Sequence, residues 1–404
     1  MYLEENRVLK GVFTHLPIED VYYGDGAIES LGDAMDQFGM KRALMITGTT
    51  LATKTNLVDL VKHHSGGRIC GVFYETVQHV HRGSVLRAMD MAKSLGADSI
   101  ISFGGGTPND TGKAVVAGLS AEIKTEDDFD QYRVDFKYPS TTRIPDIPGL
   151  PVPMIAISTT LSAGEFTHFA GITDSNRRVK DLYINKKLSA KAVFLDPALA
   201  EATPDWLWLS TGIRAVDHCV EALCSTTAHP FTDAMAAQSL AMLNNNLRKI
   251  MRDKENRSVR TNCHLASWLS VCGLANVTLG MSHGIGHQLG ARNNVPHGLT
   301  SCVMMGPTMD FNQEYVGERQ SLIAKIMGIE TKGMTREESS SAGRKSIRNL
   351  ISDLGLPSRL RDVNVEPEDF PFLAKDALED LVVATNPRPV GSVEDVIDLL
   401  QSAW

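Results

Sequence analysis

The chain has 404 residues, 43% of them hydrophobic and 22% charged, which predicts about two domains and excludes disordered and fibrous classes. A formal net charge of -8 argues against nucleic acid as a partner, because a phosphate backbone demands a clustered basic surface. No run of about 18 apolar residues occurs, so no membrane association is expected, and charges within Met1–Lys10, where a signal peptide needs an apolar core, predict a cytoplasmic protein.

The segments Arg42–Gly48, Gly71–Glu75 and Ser99–Phe103 are short, β-branched runs, each followed by a helical pattern, and predict parallel strands with crossover helices. Ser99–Phe103 and Pro153–Ser158 are nearly continuous apolar runs, as expected of strands covered on both faces. Between them, Lys137–Pro153 holds five prolines and reads as an irregular connection. From Trp206 onward, Thr211–Ser225, Thr232–Arg252, Arg260–Leu279 and Ser340–Leu354 show helical spacing, with no convincing strand. The expected fold is an α/β doubly wound, parallel-sheet nucleotide-binding domain over residues 1–195, followed by an all-α substrate and metal-site domain over 196–404. The six cysteines (Cys70, Cys219, Cys224, Cys263, Cys272 and Cys302) have no paired zinc-finger spacing and read as buried small hydrophobes.

Two constellations carry chemistry. Gly104, Gly105 and Gly106 stand where a buried strand hands over to a helix, so the backbone can approach a pyrophosphate with no Cβ in the way. Thr107 and Asn109 are expected to cap that helix. Neither the Walker loop nor the spaced G-x-G-x-x-G fingerprint is present. The second constellation joins Thr211–His218 to Ser282–His297: residues four apart share a helix face, so Arg214 projects with His218, and His283 with His287. The remaining histidines, His79 among them, read as ordinary polar residues.

Gly104-Gly105-Gly106 followed by Asp110 and Lys113 resembles the signature of the iron-type alcohol dehydrogenase and dehydroquinate synthase-like superfamily. Tyr23–Gly26, Ser158–Glu165, Lys180, Asp196-Pro197, His218–Glu221 and Pro296–Gly298 extend that likeness through most of the chain. The resemblance implies a cleft between an α/β and a helical domain, in which a nicotinamide coenzyme meets a small carbonyl or alcohol substrate. It assigns Gly105, Gly106, Thr107, Asp110, Lys113, Thr159, Thr160, Ser162 and Lys180 to the coenzyme. NAD-preferring relatives carry an aspartate where Gly48 stands, so Gly48 with Thr49 leans the expectation towards NADP(H) over NAD(H). Metal-dependent relatives show an Asp, a His four residues later, and two more His fourteen apart; His218, His283 and His297 match, but Arg214 replaces the aspartate. A guanidinium offers no lone pair, so binding of Fe2+ or Zn2+ is doubtful if Arg214 points inward. With a substitute ligand at Asp217, or three histidines and water, a metal-dependent enzyme is the alternative; a catalytically inactive nucleotide-binding subunit is a second. The maleylacetate reductase branch, which also departs from the aspartate ligand, is the nearest analogue. The leading expectation is a metal-independent carbonyl or oxoacid reductase with Arg214 as electrophile, His287 as proton relay and His218 as a hydrogen-bonding group. A homodimer is suggested by the same likeness.

Overall fold

The computed structural model describes residues 10–138 and 141–404, so nearly all of the charged start of the chain, and Pro139 of the proline-rich connection, lie outside the described residues. Strands β1 (Asp20–Tyr23), β2 (Ala43–Thr47), β3 (Ile69–Phe73), β4 (Ser99–Gly104), β5 (Asp135–Lys137), β6 (Thr141–Arg143), β7 (Met154–Ser158), β8 (Phe169–Asp174), β9 (Val179–Ile184) and β10 (Ala192–Leu195) all fall in the first half. Helices α1 (Leu31–Gln37), α2 (Thr49–Lys54), α3 (Leu57–His64), α4 (Arg82–Ser94) and α5 (Gly106–Ser120) lie between them, and α6 (Pro197–Ala200) follows the last strand.

Six strands form one sheet in the order β1-β10-β7-β4-β2-β3, parallel throughout. Its inner strands β2, β4, β7 and β10 are buried at every residue, while the edge strands are half-buried; their apolar runs therefore face helices on both sides. The chain leaves β2 for β3 on one side and returns to β4 on the other. The strand order thus reverses between β2 and β4, and the carboxyl ends of those strands, at Gly48 and Gly104, flank the crevice where doubly wound sheets hold ligands.

Two small antiparallel hairpins, β5–β6 and β8–β9, were not expected from the sequence. Of the first, β6 and the last residue of β5 lie in the segment read as irregular.

Helices α7 (Asp205–Cys224), α8 (Pro230–Arg252), α9 (Arg257–Val271), α10 (Met281–Asn293), α11 (His297–Phe311), α12 (Gln313–Ile326), α13 (Arg336–Asp353), α14 (Phe370–Leu378), α15 (Leu381–Ala384) and α16 (Val393–Ala403) make up the rest, with no strand among the described residues after Leu195. Helix α7 is buried along its length from Trp208, which fits a helix apolar on most faces and placed at the centre. One hydrophobic core runs from Leu44, Ile100 and Ala156 of the sheet through Val115 on α5 to Ile213, Leu240 and Ile347 of the helical half. A second fills α10, α11, α14 and α16, and a third covers the far face of the sheet. No single helix among the described residues is long and apolar enough to cross a membrane.

Candidate active site

Strand β4 ends at Gly104, whose φ of 139° favours glycine, and Gly105 is the N-cap of α5 without a side-chain cap. The first amides of α5 therefore keep their N–H groups for an anion. Expected as capping residues, Thr107 and Asn109 lie inside the helix instead: Thr107 accepts at its carbonyl from Thr111 at 2.8 Å, and Asn109 is buried 3.4 Å from Ser102. A Cβ on Gly105 would stand 2.8 Å from Thr160 Cγ2, and one on Gly106 3.6 Å from Ser162 Oγ. The segment after β7 is thus pressed against the turn. The Thr160 and Ser162 hydroxyls lie 3.1 Å apart, and the Thr159 amide donates to the Gly104 carbonyl at 3.0 Å. This bare, hydroxyl-flanked helix start fits a dinucleotide pyrophosphate.

Other expected coenzyme contacts are placed differently. Lys113 is fully buried and donates to the Gly164 carbonyl at 2.5 Å, to Thr167 Oγ1 at 2.8 Å and to the Phe169 carbonyl at 2.9 Å, with Asp110 3.9 Å away. All three ammonium protons hold the 164–169 loop, so Lys113 is a strut rather than a ligand. Asp110 accepts from the Gly171 amide at 3.4 Å. Lys180, on β9, lies with its stem over Gly171; burial lowers its pKa, Asp110 opposes that shift and Arg214 adds to it. Gly48 caps α2, and a methyl group added to it would meet only open space, while Thr49 donates its hydroxyl proton to the Tyr74 carbonyl at 2.9 Å.

The helical wall is built from α7, α10 and α11. Arg214, 5% exposed, points inward. Its Nη1 donates to Ser301 Oγ at 3.0 Å and its Nη2 to His297 Nε2 at 3.0 Å, which fixes His297 as an acceptor at that nitrogen. Asp217 lies 3.9 Å from Arg214 Nη1 and accepts the hydroxyls of Ser282 and Ser301, each at 2.7 Å. His283 Nδ1 donates to Glu221 at 2.7 Å, and Glu221 also accepts the amides of Gly280 and Ser282. The His218 ring lies 4.9 Å from that of His283, and the His287 ring is stacked at 5.7 Å on His297. His287 Nδ1 donates to Asp380 at 2.8 Å, which leaves Nε2 as the free acceptor of a side chain 21% exposed. Arg214 acts electrostatically on His218, and His287 on His283, as their four-residue spacing on one helix face implies, while the direct contacts of Arg214 and His287 are both with His297 on α11.

Burial holds His218, His283 and His297 well below the ordinary histidine pKa, and Arg214 adds to the shift in each. Burial pushes the Asp217 carboxyl up, while His283, Arg214 and the Ser301 hydroxyl pull against it; burial also lifts Glu221 to about 7. With three neutral imidazoles, the guanidinium is the cation that the helical wall contributes, with Lys180 of β9 in electrostatic reach. A divalent ion shared by His218, His283 and His297 does not fit these residues, because Arg214 already uses the His297 lone pair and supplies none itself. Asp217, Glu221 and His283 bring ligand atoms within 4.8 Å of one another, but hydroxyl and amide donors already bind both carboxylates. Asp217 is the carboxylate beside Arg214, and it accepts both hydroxyls at Oδ2, while its Oδ1 is buried with no hydrogen-bond partner among the described residues.

The sequence analysis missed Ser301 and Asp380, which orient these groups from segments with no motif to mark them, and gave no role to Ser282, the first residue of the second histidine segment. It also set aside His79, which lowers the pKa of His297 and so stands within electrostatic reach of it.

Residues 19–197 match the model of the iron-containing alcohol dehydrogenases, and residues 208–404 match that of the C-terminal part of the same family. Lactaldehyde reductase of Escherichia coli (strain K12) is 30% identical over 388 residues, covering 96% of this chain and 98% of that protein. A 1,3-propanediol oxidoreductase structure superposes with a TM-score of 0.90 at 27% identity, over 98% of this chain and all of the other. Maleylacetate reductase from Agrobacterium tumefaciens shares the fold, with a TM-score of 0.78 at 21% identity over 98% of this chain and 99% of its own. The chain belongs to the iron-containing alcohol dehydrogenase family and is an oxidoreductase acting on CH–OH groups.

Proposed function

We propose that the chain interconverts a small carbonyl compound and its alcohol with a nicotinamide dinucleotide, and that Arg214 replaces the metal as electrophile. The observation that carries this reading is the guanidinium held among the histidines, 3.0 Å from His297 and 3.0 Å from Ser301. In this division of labour, residues 1–195 hold the coenzyme and 196–404 supply the groups that meet the substrate oxygen.

The start of α5 at Gly105 and Gly106, with Thr160 and Ser162 beside it, seats the pyrophosphate by amide and hydroxyl donors. Lys180 reaches towards the same cleft. A nicotinamide bound there would supply or take up the hydride. Arg214 polarises the carbonyl oxygen and stabilises the alkoxide charge that grows on it, while Asp217 keeps the guanidinium neutralised as a pair and in place. His287, oriented by Asp380, passes a proton between that oxygen and solvent at Nε2. Hydride to carbon and proton to oxygen complete the reduction; the reverse transfers complete oxidation. Lactaldehyde and propanediol in the names of relatives make small aldehydes a natural substrate class for this chain, and an oxoacid would gain from the Arg214 and Lys180 cations. The open space at Gly48 accommodates either ribose, and with the Thr49 hydroxyl engaged the case for NADP over NAD rests on the missing carboxylate alone.

The test is turnover of a panel of aldehydes and 2-oxo and 4-oxo acids with NADH and NADPH, measured before and after exhaustive chelation together with metal analysis. Turnover unaffected by chelation supports the reading. Loss on chelation with recovery on adding iron or zinc overturns it.

A further inference from the structure

His79 and Val80 are consecutive non-glycine residues in the left-handed region, with φ of 64° and 57°. Such a pair persists only where its surroundings over-determine it, and it clusters at working sites. Here the restraint comes from the β8–β9 hairpin. Thr173 donates its amide to the Val80 carbonyl and its hydroxyl to the His79 carbonyl, both at 2.7 Å, and His81 Nδ1 meets Ser175 Oγ at 2.8 Å. One residue further on, Arg82 is 1% exposed and binds Asp130 at 2.7 Å and Asp181 at 2.8 Å, with Asp174 at 3.4 Å. The hairpin that carries Lys180 is thereby welded to the turn that carries His79.

The imidazole that this turn presents is 7% exposed, and its Nε2 is buried with no hydrogen-bond partner among the described residues. Its other edge rests on α10 at Gly290, where a Cβ would come within 2.8 Å of His79 Cε1. Any larger residue at 290 would push the ring away. The ring therefore spans from the α/β wall to the helix that bears His283 and His287, within electrostatic reach of Lys180 and of His297. Burial, with Lys180 adding to it, lowers its pKa to about 4, so the ring is neutral at pH 7 and offers an uncharged hydrogen bond. A buried polar atom without a partner is costly unless something completes it.

We propose that His79 is a specificity-determining residue whose Nε2 hydrogen-bonds an uncharged oxygen of the substrate, such as a hydroxyl, carried beyond the reacting carbon. The contact rests on the reading of the cleft as a carbonyl reductase site. It selects hydroxylated carbonyl compounds over plain alkyl ones of the same size, through a group already fixed in position before binding.

The experiment compares kcat/KM for matched pairs, 3-hydroxypropanal against butanal and 2-hydroxypropanal against 2-methylpropanal, in the wild type, His79→Phe and His79→Gln. His79→Phe should lose about tenfold on the hydroxylated member, the worth of one uncharged hydrogen bond, and stay within twofold on the alkyl member. His79→Gln, which keeps a polar atom near the Nε2 position, should recover part of the preference. Equal losses on both members, or a loss that appears instead in the Kd for the reduced coenzyme, would overturn the proposal by making His79 structural or a coenzyme contact. No loss on either would overturn it as well. A wild-type protein that binds the coenzyme but turns over neither member sinks the reductase reading itself, and the His79 contact with it.

Discussion

Replacing Arg214 by methionine removes the pocket's cation while keeping much of its volume. Arg214 and Asp217 are 6% and 0% exposed and 3.9 Å apart, so at an effective dielectric of about 20 their attraction is about 4 kcal/mol. Truncating one member leaves the other buried and unpaired, which predicts a stability loss of about 3–5 kcal/mol. If Arg214 also stabilises the alkoxide, kcat should fall about 100- to 1000-fold, the effect of removing one oxyanion donor. The two effects separate in the double variant Arg214→Met/Asp217→Asn, whose amide still accepts the Ser282 and Ser301 hydroxyls. Urea unfolding followed by the fluorescence of Trp208, buried on α7, should show most of the stability restored. Coenzyme oxidation on an aldehyde should show no recovery of turnover. A single variant with kcat within tenfold of the wild type would refute the electrophile role.

Arg214→Asp, which returns a carboxylate to the position that metal-dependent relatives use, should bind about one equivalent of zinc or iron in equilibrium dialysis where the wild type binds none tightly. His287→Asn should lower kcat by about 100-fold or more and flatten its pH profile, with Asp380→Asn, which disturbs the tautomer rather than the relay, falling less. Gly105→Ala forces a methyl to within 2.8 Å of Thr160 and should weaken NADH and NADPH binding by more than about tenfold, read by fluorescence titration, since the amides it displaces are the anion seat. Burial holds His264 neutral down to about pH 3, whereas the unfolded chain takes up that proton near 6.5. The unfolded state therefore binds more protons between these values, and stability is lost as pH falls through this window. The wild type should lose about 1.4 kcal/mol per pH unit more steeply there than His264→Phe, as measured by urea midpoints at pH 4 to 7.

Much of this was legible because it is local. The β-branched runs marked β2, β3, β4 and β7 within a residue or two, and three glycines at a strand end marked the turn into α5. The four-residue spacing placed Arg214 and His218 on α7. What depends on distant pairing was not legible. The β8–β9 hairpin is interrupted by Gly171 and Asp181, so its alternation is weak, and its role appears only once Thr173 meets His79. Asp380 looks like a helix cap, and it is one for Val382; its bond to His287, 93 residues away, leaves no trace in either neighbourhood. Lys113 fits a coenzyme signature by position, yet burial turns its ammonium inward onto carbonyls. Thr107 and Asn109 failed as caps because the N-cap of α5 is Gly105, two residues before the first of them.

Arg214 and Asp217 sit three positions apart on a helix that also threads the shared core, so a change in the pocket is felt by the fold. Exchanging the guanidinium at position 214 for a neutral or acidic group leaves one interior charge without an opposite, and the whole fold is penalised. The 0% exposed acid at 217 thus ties the residue at 214 to the stability of the fold as well as to the chemistry of the pocket.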